Sequence, residues 1–99
     1  MQNFPGTWLG FLPRRGNATA QTIVGIRYLD GQGAPVDVQQ AGKWLLKAAG
    51  QNQAVAQYRL GTMYERGQGT PVDMTRAVKW YAAAANLGNR KAMHNLAVA

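Results

Sequence analysis

Few side chains in this sequence have the type and spacing that catalysis needs. His94 is the only histidine, and no carboxylate motif accompanies it. Glu65 could act as a general acid, but it stands beside Arg66 near a predicted helix end, where an ordinary solvated charge is expected. The sequence has no Ser-His-Asp order and no HExxH motif, and it has no cysteine to bind metal as a thiolate. We therefore predict a protein without catalytic residues, cofactor or metal.

Two glycine-rich segments resemble a phosphate-binding loop only superficially. Gly31-Gln-Gly33 and Gly67-Gln-Gly69 lack the lysine of such a loop, and no predicted strand precedes them. They recur at the same place in two copies of a longer pattern. We interpret both as turns between helices.

The sequence after residue 16 repeats with a period of 36 residues. Segments 18–53 and 54–89 are identical at 16 of 36 positions, and a third copy begins at Arg90 and stops early. Such a period is typical of solenoids, in which each unit is too small to bury its own core. We predict an all-α fold, an α/α superhelix of about two and a quarter units. The units are 17–52, 53–88 and a partial unit 89–99.

Each unit is predicted to contain two antiparallel helices. Asn17 and Asn89 are placed to cap first helices, because the Asn side chain accepts an unpaired N–H of the first turn. In the middle unit this position is Gln53, and Asn52 is the alternative cap. Gly31 and its repeat Gly67 are each predicted to end a first helix in a left-handed conformation.

The second helices have their own start and stop signals. Asp37 and Asp73 are predicted caps, and Gln40 would extend the first of them into a capping box. Gly88 is predicted to close the second of these helices.

Small residues at repeated positions predict close helix crossings. Gly25, Gly61 and Ala97 share one position of the first helices, and Ala-Ala pairs recur at 48–49 and 84–85. Glycine inside a helix costs about 1 kcal/mol relative to alanine, so its recurrence indicates that a larger side chain would clash. The rings predicted to fill the space between units are those of Tyr28, Tyr64, Trp44 and Trp80.

These positions together give the chain a specific resemblance. Segment 56–69, followed by Asp73, Ala77, Trp80-Tyr81 and Ala84-Ala85, resembles a Sel1-like repeat, and the match covers nearly everything after residue 16. That family is similar to tetratricopeptide arrays, which stack antiparallel helix pairs in a curved superhelix. The resemblance implies a non-catalytic module for protein–protein contacts in signalling, secretion or envelope organisation.

Two narrower resemblances imply more specific functions. Segments 56–61 and 91–98 are similar to the repeat region of the bacterial polar localisation factor PodJ, which implies a periplasmic portion of a larger envelope or polar-organising protein. A cysteine-rich branch of the Sel1 group has been linked to β-lactam binding or hydrolysis, and this is the alternative function. The absence of cysteine sets this chain apart from that branch.

The charge balance limits the choice of partner. Eleven Lys and Arg against four Asp and Glu give a net charge of +7, which favours an acidic protein or peptide. The basic residues are spread along the chain without a groove-reading motif, which argues against nucleic acid. A salt titration tests the alternative of electrostatic binding to nucleic acid or anionic lipid. No apolar run is long enough to span a bilayer.

The candidate binding residues occupy first-helix positions that differ between units. First helices usually line the concave face of two-helix solenoids, which is the usual binding surface. The predicted partner-binding residues are Arg27, Tyr58, Arg59, Met63, His94 and Asn95. Tyr and Arg are common interface anchors. The alternative interpretation is a solvent-facing stripe without a partner.

The two ends of the chain carry separate expectations. Residues 1–16 are an N-terminal extension or linker, in which Trp8, Phe11 and Leu12 either cap the first unit or belong to a flexible tail. At the other end, Ala92, Leu96 and Val98 would have no following second helix to cover them. The sequence therefore predicts either a fragment of a longer protein or self-association through this open end.

Overall fold

A computed structural model describes residues 17–98, which form helices joined by short turns. The helices are α1 (Ala18–Asp30), α2 (Val38–Ala49), α3 (Ala54–Arg66), α4 (Met74–Asn86) and α5 (Arg90–Val98). Across these residues there is no strand. Each helix packs against the next one along the chain, most extensively within the pairs α1–α2 and α3–α4. The predicted all-α solenoid is confirmed. The expectations for Trp8, Phe11 and Leu12 lie outside the described residues.

The first helices begin where side-chain caps are available. Asn17 and Asn89 each accept the backbone N–H three residues further on, at 2.9 Å. In the middle unit Gln53 is the cap and accepts the N–H two residues further on, at 3.3 Å. Asn52 is not the cap, because its φ of 63° places it in the preceding turn.

The turn inside each helix pair is built twice in the same way. Gly31 and Gly67 have φ values of 75° and 71°, and each ends its helix by donating its N–H to the carbonyl four residues earlier. Asp37 and Asp73 then cap α2 and α4 by accepting the N–H three residues further on, at 3.0 and 3.1 Å. These local predictions are confirmed.

The predicted capping box at Asp37 is wrong in its second half. The Asp37 N–H donates to the Tyr28 carbonyl at 2.9 Å and is therefore not available to the Gln40 side chain. Asp73 donates to Tyr64 in the same way, also at 2.9 Å. This bond ties the start of each second helix to the end of the first, so the helix pair does not depend on Gln40.

One core cluster crosses the boundary between the two units. Its buried members are Leu45, Ala48, Ala49, Ala56, Leu60 and Met63. The first three belong to α2 and the last three to α3. Trp80 of α4 packs against this cluster, as predicted for a ring between units. Tyr28 and Trp44 instead pack against Val24 and Ala34 inside the first unit, so the prediction is wrong for those two rings.

A second cluster joins α4 to α5. Tyr81 and Ala84 of α4 pack with Ala92 of α5, which is completely buried. Ala92 is therefore covered by α4, the preceding second helix, whereas the expectation concerned a following one. Leu96 packs against the same cluster and is half-buried.

Two helical glycines mark close crossings. A Cβ atom at Gly25 would lie 2.7 Å from Cγ of Leu45, and one at Gly61 would lie 2.5 Å from the ring of Tyr81. Leu45 and Tyr81 occupy the same position in the two units and are the largest fully buried side chains. Ala97, at the corresponding position of α5, is exposed, so the predicted crossing does not extend to the third helix of this series.

Candidate binding surface

Two side-chain contacts link the first helices of the two units. Nη1 of Arg59 on α3 lies 3.9 Å from Oδ1 of Asp30 on α1, and both side chains are about one-third exposed. At the other end of the same pair of helices, Nε2 of Gln53 donates to Oγ1 of Thr19 at 3.4 Å. The predicted basic residue Arg59 is therefore at the junction between α1 and α3, next to a carboxylate.

Tyr58 and Asn95 meet at Tyr81. The rings of Tyr58 and Tyr81 have centroids 5.9 Å apart and planes tilted by 38°. The Asn95 side chain lies near the Tyr81 hydroxyl group, which donates to Oε1 of Glu65. Burial, followed by the Glu65 carboxylate, raises the pKa of Tyr81. Glu65 is exposed, as expected for a solvated charge, and it also accepts this part-buried hydroxyl.

The remaining candidate residues have different environments. Arg27 is half-buried on α1, and His94 is exposed on α5. Met63 is only 4% exposed, because it packs into the core cluster with Leu45 and Leu60. The placement of Met63 in an open groove is therefore corrected: its side chain supports α3 from the core side. Its methyl group also reaches a neighbouring pocket.

That pocket lies between α2 and α3 and encloses about 220 Å³. Its apolar lining comes from Val38, Gly42, Leu46, Leu60 and Met63. Its polar lining comes from Gln39, Lys43, Tyr64, Gln68 and Thr70. None of the sequence patterns predicted this site. The available signal was Gly42 in mid-helix, where the second unit has Val78.

The carboxylates of the described residues are used structurally. Asp30 pairs with Arg59, and Glu65 accepts from Tyr81. Asp37 and Asp73 cap helices. Residues 17–98 hold no group of three metal-ligating side chains, and none of their helices is long and apolar enough to cross a bilayer. The β-lactam alternative stays a prediction, which a turnover assay with a chromogenic β-lactam tests.

Comparison with known proteins places this geometry in a family. The family model described as Sel1 repeat matches residues 18–53 and 54–89. The chain belongs to the Sel1 repeat family. The boundaries of the matched repeats coincide with the helix pairs α1–α2 and α3–α4 together with their connecting turns.

Two solved structures show the same arrangement. A Sel1 repeat protein from Oxalobacter formigenes is 41% identical, with a TM-score of 0.79 over 81% of this chain and 33% of its own. The protective antigen c5321 of uropathogenic Escherichia coli, which displays an SLR fold, is 40% identical, with a TM-score of 0.76 over 78% of this chain and 16% of its own. The chain thus spans a third or less of either structure. No curated protein gives a significant match.

Membership of this family indicates a general class of function. Sel1 repeats are generally protein–protein interaction modules and non-enzymatic scaffolds. None of these comparisons supports the narrower resemblance to PodJ. The periplasmic location that it implies stays a prediction.

Proposed function

We propose that this Sel1 repeat chain is a non-catalytic scaffold that binds an acidic protein or peptide segment across α1, α3 and α5. The residues proposed to contact the partner are Arg27, Tyr58, Arg59, His94 and Asn95. Met63 belongs to the proposal only as the core residue beneath this surface. We also propose that the module works within a larger bacterial envelope or polar-organising protein.

One observation carries the proposal. The contact between Asp30 and Arg59 joins α1 to α3, and the contacts of Tyr58 and Asn95 with Tyr81 join α3 to α5 through α4. These contacts support a common framework for the candidate residues Tyr58, Arg59 and Asn95. Rigid elements present binding groups with less loss of conformational entropy than flexible loops do.

The acidic character of the partner rests on charge. The chain has a net charge of +7, and Asp30 is the carboxylate that lies against Arg59. This exposed pair contributes little to stability, so a partner carboxylate can replace Asp30 at small cost. Charge complementarity of this kind speeds association and selects partners.

Binding of selected peptides tests the proposal. Peptides are selected from a displayed random library on the full chain, and their affinity is measured by fluorescence polarisation. The double variant Arg27→Glu, Arg59→Glu is expected to weaken binding by about tenfold or more, which corresponds to about 1.4 kcal/mol. The matched control is Lys47→Glu, Lys79→Glu, which makes the same charge change at exposed residues of the second helices α2 and α4, away from this surface.

The outcomes separate the alternatives. Equal losses of affinity in both double variants would show that net charge alone causes the effect, and would refute the assigned surface. Binding of duplex DNA or anionic vesicles that collapses steeply with salt, without peptide selectivity, would favour the electrostatic alternative. Tyr58 is left unchanged in this test, because its ring packs against Tyr81 and its removal would also lower stability.

Self-association is a second proposed contact of this scaffold. Leu87 and Met93, at the turn before α5 and on α5 itself, are 50% and 47% exposed. Large exposed apolar side chains favour association with another apolar surface. A second copy of the chain would bury them.

A further inference from the structure

Gly42 is a helical glycine that packing does not require. It lies in the middle of α2, and a Cβ atom there would meet the Met63 methyl group at 3.7 Å, an ordinary contact. Gly25 and Gly61, in contrast, leave no room for a Cβ atom. The second unit has Val78 at the position of Gly42, inside the intact helix α4. Glycine weakens α2 by about 1 kcal/mol relative to alanine, and here it relieves no clash.

The missing side chain at Gly42 opens the pocket between α2 and α3. Leu60 and Met63 are buried residues that form its apolar floor, and Leu46, 51% exposed, lies beside it on α2. Nε2 of Gln39 donates to the Gly69 carbonyl at 3.1 Å and ties α2 to the turn that lines the pocket. The volume of about 220 Å³ is below the roughly 300–1,000 Å³ of small-molecule sites. It suits a single apolar side chain.

The rim of the pocket carries an unbalanced positive charge. Lys43 is exposed and lines the pocket, and among residues 17–98 no carboxylate lines it. Gln68 and Thr70 add polar side chains to the rim that can bond to a peptide backbone. A ligand that complements this site has an apolar side chain next to a carboxylate. A second copy of this chain, with its charge of +7, matches that description poorly.

We propose that the pocket between α2 and α3 binds an acidic peptide segment of a partner protein. An apolar side chain of the segment enters the space left open at Gly42, and a flanking Asp or Glu pairs with Lys43. The site uses α2 and the core-facing side of α3, so it is separate from the surface formed by Arg27 and Arg59. It does not rest on the function proposed for that surface.

The test uses the full chain and random dodecapeptides displayed on phage. We expect selection at low salt to enrich an apolar residue flanked by Asp or Glu. Gly42→Val fills the pocket with the side chain of the second unit, and Lys43→Glu reverses the charge at the rim. Each variant is expected to bind the selected peptides about tenfold or more weakly than the wild type. Lys79→Glu, the same change at the corresponding position of α4, is expected to change binding by less than about twofold.

Folding of the variants is checked separately. Gly42→Val and Gly42→Ala are expected to keep the helical circular dichroism spectrum and to melt no lower than the wild type, because both residues form helices better than glycine. Should Gly42→Val misfold, Gly42→Ala is used instead. Its methyl group narrows the same space, and an unchanged affinity of folded Gly42→Ala would then overturn the proposal.

The remaining outcomes also decide the question. Selected peptides without acidic residues, or peptides that bind folded Gly42→Val as tightly as the wild type, would overturn it. If only Arg27→Glu, Arg59→Glu lowers affinity, the first-helix surface stands and the pocket proposal fails. If only the variants at Gly42 and Lys43 lower affinity, the pocket proposal stands and the first-helix surface fails. A dimer that Gly42→Val abolishes would assign the pocket to a second copy and overturn the peptide proposal.

Discussion

The side chains of Gln51 and Gln21 are hydrogen-bonded in the first unit, with Nε2 of Gln51 donating to Oε1 of Gln21 at 2.8 Å. The corresponding residues of the second unit are Leu87 and Gln57. Gln57 is 3% exposed and donates Nε2 to the Ala49 carbonyl at 3.1 Å. Its Oε1 has no partner among the described residues. The leucine at position 87 accounts for this unsatisfied oxygen, because it cannot supply the donor that the first unit has.

Leu87→Gln is therefore expected to stabilise the chain. The backbone is already suitable, since the N–H of Leu87 bonds to the carbonyl three residues earlier, as that of Gln51 does. A new hydrogen bond to a buried acceptor contributes about 1 kcal/mol. Thermal melting should show a rise of roughly 4–8 °C for each kcal/mol in a domain of this size.

The partner of the new bond can be tested directly. Gln57→Met introduces the residue that α5 carries at the corresponding position, Met93. In this background Leu87→Gln should give no gain, because the acceptor is gone. An equal gain in both backgrounds would show that the substitution acts through lost apolar exposure and that the hydrogen bond is not formed.

Replacing glycine with alanine should change stability in opposite directions at Gly61 and at Gly42. Gly61→Ala is expected to destabilise the chain by roughly 1–3 kcal/mol, because its Cβ atom would lie 2.5 Å from the Tyr81 ring. Gly42→Ala is expected to stabilise it by about 1 kcal/mol, since only helix propensity changes. Urea denaturation measures both. A higher stability of Gly61→Ala would contradict the close crossing of α3 and α4.

The contrast between these glycines shows what sequence could and could not predict. Caps and turns followed from sequence, because Asn17 or Gly67 acts on backbone groups only a few residues away. The close crossing at Gly61 follows from sequence because the first unit also has a glycine, Gly25, at this position. Met63 was misplaced, because its exposure depends on α2, which packs across the boundary between units. Similarly, the bond between Tyr81 and Glu65 depends on how α3 and α4 face each other.

The hydroxyl of Tyr81 should make stability depend on alkaline pH. Burial and the Glu65 carboxylate raise the pKa of Tyr81 above its ordinary value near 10, so the folded chain holds this proton more tightly than the unfolded chain. The resulting stability is present below pH about 10 and is lost as pH rises towards the folded-state pKa. Urea denaturation at several pH values measures the slope.

Tyr81→Phe removes this proton and provides the test. We expect it to lower stability at neutral pH by about 1 kcal/mol, through loss of the bond to Glu65, and to flatten the decline above pH about 10. Tyr64→Phe is the control, since this half-buried ring stacks against Arg76 instead. A decline that persists unchanged in Tyr81→Phe would exclude Tyr81 as its source.

Self-association through the α5 end should be detectable by sedimentation velocity. Leu87 and Met93 are half-exposed, so burying the rest of each side chain between two copies is worth about half of the roughly 1.5–3 kcal/mol of full burial. Leu87→Glu and Met93→Glu should therefore weaken a dimer, whereas Val55→Glu, at an exposed valine on α3, should not.

High salt should strengthen the dimer, because it screens the repulsion between two chains of charge +7. High salt should weaken the binding of acidic peptides, because it screens their attraction to the basic chain. A chain that sediments as a monomer at every concentration and salt level would refute the self-association proposal and leave the peptide sites unaffected.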